Sequence, residues 1–332
     1  MKNEISFIFV IYNDSELLKY AFPSIVEQEI KKKEIIIIDN RPSDKSREII
    51  NELAAKYNNV EISYYPHPEN LGYSGGANSG IKRSKYKNVA ILNADIILEK
   101  DYSKKILEAI YQDEQVAGAT GKIMKYDFSN NTATSIIDTT GISLTRNLKA
   151  FDRGQGEEDL GQYDKEINIF GICGAVAVLK KEVLELSSIN GEYFDEDFIA
   201  YKEDVDLSWR INKFSYNFLY VPKAIAYHGR ALGKINDGTV IGTIINRKKQ
   251  PAFLRELSLA NQRKMIIKNM SCDFLYKNFI HILSRSIMEC TFSIIFEPVV
   301  YVKSWKRTLK STNKMLKKRK QIKRKLKNKI VS

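Results

Sequence analysis

Cysteine and histidine are scarce in this 332-residue chain, at three residues each. Cys173, Cys272 and Cys290 are odd in number, widely spaced and without a CxxC pair. The pattern gives no basis for a disulfide framework or a structural zinc site, and a reducing cytosol is the simplest home. Proline (7) and glycine (17) are too few for a collagen-like, mucin-like or wholly disordered chain. There is no internal repeat. The first apolar run, Ile5 to Tyr12, meets a charged residue within two positions and lacks a small-residue cleavage site. It reads as a buried strand rather than a signal peptide. Acidic residues are missing altogether from Lys303 to Ser332, where 14 of the 53 basic residues lie. The remaining 39 basic residues face 40 acidic ones, so the net charge of +13 belongs to the last thirty residues and the body is near neutral.

What is present is an alternating pattern. The chain is 43% hydrophobic, and its length allows two domains or one large domain with an appendage. Four apolar runs, Ile5–Tyr12, Glu34–Asp39, Val60–Tyr65 and Val89–Leu92, start 26 to 29 residues apart. Helical periodicity fills the stretches from Ser15 to Gln28 and from Ser43 to Tyr57. Continuous β-branched runs alternating with helices predict βαβ units and a parallel sheet buried on both faces. Three runs end in polar residues: Tyr12-Asn13-Asp14, Asp39-Asn40 and Asn93-Ala94-Asp95. In open α/β sheets a ligand sits beyond the carboxyl ends of the strands, which places a site near Tyr12, Asp39 and Asp95. From about residue 115 shorter strand-like pieces predict a mixed half packed on the first. After about Gly233 the chain reads as mostly helical.

Four groups of residues could carry chemistry. Asn70 to Ile81 reads NLGYSGGANSGI, and its four glycines predict a loop over at least the first half. That loop either lets the backbone approach a phosphate or sugar, or is a tight strand-to-helix connection. Asp95, closing a strand in LNAD, could hold a divalent cation and through it a diphosphate; a helix N-cap is the plainer role. Asp39 could accept the imide N–H of a pyrimidine base, or serve as a turn residue. Glu203, Asp204 and Asp206 lie within four positions, preceded by FDEDF at 194–198. Such a density of carboxylates is costly unless they are paired, solvated or used. One could be a general base, or all could favour a helix N-terminus. His228, after the apolar VPKAIAY, is a ligand or a satisfied structural residue.

Taken in order, these pieces resemble the family 2 glycosyltransferases of GT-A fold, with the rhamnosyltransferase-like branch most similar. The carriers are FIFVIYN, SIVEQ, EIIIIDN, NLGYSGGANSGI, LNAD, DRGQGEEDLGQYD, GICGAVAVLKKEVLE, FDEDFIAYKEDVDLSWR and VPKAIAYHG, over roughly residues 4–230. The resemblance implies an α/β fold: a GT-A nucleotide-binding domain with a mixed, mainly parallel central sheet over 1–232, followed by a helical extension. Residues 1–98 would form the donor half and 99–232 the acceptor and catalytic half. It implies that Tyr12 and Asp39 contact the donor's base, with Asn13 at the same strand end, that the loop around Asn70, Gly75, Gly76 and Asn78 lines the donor pocket, and that Asn93, standing where the first Asp of the metal motif would be, also belongs to the donor site. Asp95 would bind Mg²⁺ or Mn²⁺ in a shortened DxD motif, with His228 helping to hold the metal or diphosphate. Asp204, beside Glu203, would be the catalytic base. The implied reaction is an inverting, metal-dependent transfer from a dTDP- or UDP-sugar, rhamnose being the branch's commonest donor sugar. Ser208-Trp209-Arg210 is not the full QxxRW motif of processive synthases.

Two further segments were read from spacing. Phe279–Val302 is apolar, yet His281, Arg285, Glu289, Ser293 and Glu297 recur every four residues and predict one polar helical face. Leu309, Leu316, Ile322, Leu326 and Ile330 dot the polybasic stretch 303–332. Together they predict an enzyme bound peripherally to the inner, anionic face of the cell membrane, acting on a lipid-linked or cell-envelope glycan. A disordered, solvated tail is the alternative. The stretch after Trp305 has no aromatic residue to stack on bases, so nucleic acid is not expected as a partner. A sugar-phosphate nucleotidyltransferase would also begin with βαβ units, but would carry an early Gly- and Arg/Lys-rich phosphate loop where Tyr12-Asn13-Asp14 stands.

Overall fold

The computed structural model of the chain describes residues 3–229 and 240–331. The four apolar runs form strands β1 (Glu4–Ile11), β2 (Lys32–Asp39), β3 (Glu61–Pro66) and β4 (Asn88–Leu92), paired in parallel in the order β3-β2-β1-β4. Helices α1 (Leu18–Val26) and α2 (Asp44–Lys56) make the first crossovers. Ser43 opens α2 by a reciprocal cap: its hydroxyl accepts from the Ser46 N–H, and the Ser46 hydroxyl accepts from the Ser43 N–H. Alternate residues of the strands feed two cores. Phe7, Phe9, Ile35 and Ile37 pack with Phe22 and Ile49 on one face. Ile8, Val10, Ile36 and Ile38 pack with Ala77 and Leu207 on the other.

The glycine segment departs from the expected loop. Helix α3 runs Gly72–Arg83, so only Asn70 and Leu71 of that stretch precede it. The reason is packing. A Cβ on Gly76 would lie 2.5 Å from Val10 Cγ1, and one on Gly80 would lie 2.2 Å from Ile8 Cγ2. The glycines let the helix lie directly on the sheet, an advantage that outweighs their low helix propensity.

The second half continues the same sheet, apart from one short hairpin-like pair, Ile142–Leu144 with Ala150–Asp152, that stands by itself. After β5 (Ile96–Leu98) and α4 (Tyr102–Ile110) come β6 (Val116–Asp127), β7 (Thr132–Thr139), β8 (Ile142–Leu144), β9 (Ala150–Asp152), β10 (Asn168–Ile169) and β11 (Val176–Lys180). Helices α5 (Lys181–Ser187) and α6 (Glu203–Lys213) and strand β12 (Asn217–His228) complete it. The order runs on from β4 as β11-β6-β12-β10, with β11 antiparallel to both neighbours and β12 parallel to β6.

The expected domain boundary at 232/233 lies outside the described residues. Beyond it are α7 (Val240–Lys249), α8 (Ala252–Asn269), α9 (Cys272–Phe296) and α10 (Pro298–Val331). The boundary expected at 303 falls inside α10. That helix packs along α8, with Met315 buried in the main core and Ile322 buried beside Ile189 and Phe214. The predicted continuous helix from 279 to 302 breaks at Glu297, where Pro298 disfavours helical backbone in the residue before it; the Glu297 carboxylate pairs with Arg247 and Arg255.

Candidate active site

The end of β4, the turn before β11 and the start of α6 line one cavity of about 660 Å³. Asn93, Gly174, Glu203 and Asp204 face it, and Asp152 and Tyr201 complete the wall. Asp204 is fixed by backbone donors: Oδ2 accepts from the Gly174 N–H at 3.2 Å and Oδ1 from the Val205 N–H at 2.7 Å. Burial, with the charge of Asp152 adding to it, raises the Asp204 pKa above the usual carboxylate value. Burial pushes Glu203 up to about 8, and the adjoining Asp204 contributes. Glu203 Oε2 has no hydrogen-bond partner among the described residues. The pair therefore holds one carboxyl that favours its proton near neutrality and one that accepts bonds as an anion does.

The loop delivering this pair is strained and clamped. Ile199, Tyr201 and Lys202 have φ of 63°, 67° and 71°, left-handed values that cost non-glycine residues about 1–3 kcal/mol each. Asn261, fully buried on α8, spreads its amide over three carbonyls of this loop: Phe198 and Ala200 at 2.8 Å and Tyr201 at 2.9 Å. Tyr73, in the first turn of α3, ties the other side. Its N–H donates to the Ile199 carbonyl at 2.7 Å, and its hydroxyl donates to the Gly174 carbonyl at 2.6 Å.

At the end of β12, His228 is buried between two carboxylates. Nδ1 lies 2.8 Å from Asp138 Oδ2, and Nε2 lies 3.2 Å from Asp95 Oδ1. Burial opposes a charge on the ring, but the bonds to Asp138 and Asp95 outweigh it and raise the His228 pKa to about 9. Asn93 joins this group to the cavity, its amide nitrogen 3.4 Å from His228 Nε2. Asp95 would offer an oxygen to a cation, and His228 a nitrogen once its Nε2 gives up the proton shared with Asp95, with Asp138 orienting the ring from behind. No set of three His, Cys, Asp or Glu side chains fit to hold a metal is found among the described residues. Two protein ligands suit a cation whose other positions go to water and phosphate oxygens. The donor set thus fits a divalent cation of that kind.

The residues expected at the base divide. Asn13 and Asp39 line a separate pocket of about 180 Å³ with Arg41 and Lys45. The buried Asp39 carboxylate accepts from the Tyr64 hydroxyl and the Arg41 N–H, both at 2.9 Å. The Tyr12 ring is half exposed, with the Arg41 guanidinium 5.7 Å above it. Burial raises the Asp14 pKa, and the charges of Asp95 and Asp39 add to the rise, so the strand-end carboxylates share one electrostatic field. Asn70 is exposed, and its side chain accepts from the Gly72 N–H at 2.8 Å. Gly75 and Gly76 are buried in α3. Asn78 spends its amide on Phe194 and Glu196 and its oxygen on the N–H groups of Tyr193 and Phe194. These three sit in the packing of α3 and line neither cavity. Sequence reading missed Asp138, Tyr73 and Asn261. An aspartate inside the strand pattern ATSIIDTT is a signal that could have drawn attention to the first; a lone asparagine in α8 gives none.

The acid segment 195–206 also meets partners from far along the chain. Lys268 of α8 bonds Asp195 at 2.5 Å and Asp206 at 2.6 Å, and all three side chains are buried. Lys318 of α10 bonds Asp195 at 2.6 Å and Glu192 and Asp197 at 2.9 Å. Burial would raise Asp195, but the two lysines hold it below the usual carboxylate range.

Comparison with known proteins bears on the family and the fold. The profile described as glycosyl transferase family 2 matches residues 6–186. The chain belongs to glycosyl transferase family 2. Among curated proteins it is similar to a poly-beta-1,6-N-acetyl-D-glucosamine synthase of Staphylococcus epidermidis, 27% identical over 223 residues, or 67% of this chain and 49% of that one. A synthase of the same name from Staphylococcus aureus (strain N315) is 26% identical over the same length. The chain spans about half the length of the curated relatives it matches. Among solved structures, GalNAc-T7 with UDP, GalNAc and Mn²⁺ gives a TM-score of 0.58 at 13% identity over 80% of this chain and 48% of that one. A mannosyltransferase from Pyrobaculum calidifontis with GDP-Man and Mn²⁺ gives 0.53 at 13% identity over 93% and 75%. These likenesses show the fold, and the GT-A architecture expected for a family 2 member stands.

Proposed function

We propose that this family 2 member transfers one sugar, with inversion, from a nucleoside-diphosphate sugar to an acceptor hydroxyl. The observation that carries the reading is the sharing of one cavity: Asn93, in reach of His228 and through it Asp95, lines the same space as Asp204. Asp204 takes the acceptor proton, and the freed oxygen attacks the anomeric carbon as the bond to the diphosphate breaks. A single displacement inverts the configuration. Glu203, holding its own proton near neutral pH, leaves Asp204 as the anionic base. Asp95 and His228 would hold the divalent cation, which when bound offsets charge on the departing diphosphate. Asn13, Asp39 and Tyr12 would take the base. The resemblance favours dTDP-rhamnose, and the names of the relatives favour an N-acetylglucosamine donor.

The extension supports an acceptor at a membrane. Helix α9 is long and apolar enough to cross one, by length and composition. Its polar stripe is nevertheless turned onto the body: Arg285 donates to the Asn147 carbonyl and Glu289 pairs with Arg263. Tyr276, Ile280, Leu283, Ile287 and Ile294 face outward. A helix laid on the inner leaflet keeps those bonds, whereas a spanning one breaks them. The acceptor is then a lipid-linked or envelope glycan. The decisive experiment screens dTDP-, UDP- and GDP-sugars by thermal shift with and without Mn²⁺, then assays release of the nucleoside diphosphate with the donor that binds. A bound donor gives a Tm rise that grows with concentration. No Tm rise with any donor would end the reading.

A further inference from the structure

A second cavity, of about 530 Å³, opens between the turn Glu196–Phe198, α8 and α10. Six cationic side chains line it, Lys264, Lys303, Lys306, Arg307, Lys310 and Lys314, against three carboxylates. Arg307 is paired with Glu256 at 2.8 Å and Lys314 with Asp197 at 2.7 Å. Lys303, Lys306 and Lys310 are exposed and have no carboxylate partner among the described residues. Lys264 is different in kind. Its side chain is 3% exposed, and its ammonium donates to the Asp197 carbonyl at 2.7 Å and to Asn261 Oδ1 at 3.1 Å, both neutral oxygens. An ammonium carries three donors, so one N–H has no oxygen acceptor among the described residues, its nearest further partner being the Phe198 ring at 5.9 Å, and the group is buried in the cavity wall. Burial pushes the Lys264 pKa down to about 8; Arg307 and Lys318 lower it further, while Asp197 works against the fall. An anion is what this wall lacks.

We infer that the cavity binds the phosphate of an anionic lipid headgroup. This rests on the membrane association proposed above and gives it a specific address. The lipid is favoured over free phosphate by what borders the cavity. At about 100° per residue, Val302, Leu309 and Leu316 form an exposed apolar strip beside the strip of Lys303, Lys306 and Lys310. A soluble anion has no use for such a border, whereas a lipid presents a headgroup and acyl chains together. The carbonyl held by Lys264 belongs to Asp197, two residues before the strained loop that delivers Glu203 and Asp204. An occupied pocket therefore adjoins the support of the catalytic pair.

The test uses the full chain and co-sedimentation with vesicles of phosphatidylcholine, with and without phosphatidylglycerol. The variant K303A/K306A/K310A is compared with K317A/K320A/K323A, which removes equal charge from exposed positions of the same helix outside the cavity. Partitioning onto the phosphatidylglycerol vesicles should fall on the order of 100-fold for the first and by less than about tenfold for the second. Unchanged Tm values for both variants establish that each is folded. Equal losses would overturn the pocket and leave a diffuse basic surface, with membrane association intact. A wild-type chain that sediments with neither vesicle would overturn the membrane reading itself. If inorganic phosphate at matched ionic strength raises the Tm of the wild type only, while vesicles leave it in solution, the site serves a free anion and the lipid assignment fails.

Discussion

Two groups of carboxylates stand within one short segment, and they meet opposite fates. Asp195, Asp197 and Asp206 are covered by the extension and bonded to Lys268, Lys314 and Lys318. Glu203 and Asp204, between them in sequence, face the large cavity and have no lysine partner within salt-bridge distance among the described residues. The first group illustrates the rule that buried charge is tolerated when paired. The second keeps carboxyls of raised pKa beside the residues that connect to Asp95 and His228. Local composition does not distinguish the two groups; the arrival of counter-ions from positions 268 and 318 does.

The contrast can be broken by substitutions two positions apart. Asp204→Asn should lower turnover by about 10²–10⁴ with the donor-induced thermal shift retained, at a stability cost of only about 1–3 kcal/mol for the one backbone N–H bond that the amide nitrogen cannot accept. Asp206→Asn should do the reverse: a loss of stability of about 3–5 kcal/mol by urea denaturation, with turnover per folded molecule kept. If both variants showed the same readout, the division into working and paired carboxylates would collapse. Asn261→Ala removes the clamp on the strained loop. It should reduce kcat by about tenfold to a hundredfold, with little change in donor KM, corresponding to the roughly 1–3 kcal/mol that one unsatisfied buried group is worth. A fall in stability alone, with kcat unmoved, would make the clamp merely structural.

The smallest expected effect is on pH dependence. Glu203 has a folded pKa of about 8 against an ordinary value of 4.5, so between these values the folded chain binds more protons than the unfolded one. Stability carried by this group is present at low pH and lost as pH rises through that window. Glu203→Gln should flatten the fall of Tm between about pH 5 and 8. An unchanged slope would show that Glu203 is already ionised in the fold.

The parts legible from sequence were those written locally. Strands β1 to β4 have continuous apolar runs, and their polar ends mark the crevice because topology places strand ends together. Asn93, Asp95, Glu203 and Asp204 sit where such ends and a helix start can bring them. The glycines of α3 were misread because their purpose, contact with Ile8 and Val10, lies across the sheet and outside the segment. The ion pairs of the lysine-rich stretch are hidden from sequence for a similar reason. Lys318 and Asp195 are 123 positions apart, and only the three-dimensional structure shows that a stretch resembling a tail supplies the counter-charge for an acidic turn. Its removal from 303 onward is therefore a poor test of membrane anchoring, since it also strips Met315 and Ile322 from the cores.

That long-range pairing bears on how the protein comes into being. A ribosome that has translated the first 230 codons has already joined every side chain proposed for chemistry to the chain, and none of Asn261, Lys268 or Lys318. The nascent chain thus holds its reagents while the loop that must aim them lacks its fastening. Competence arrives late in synthesis, when the distant helices fold back onto the body.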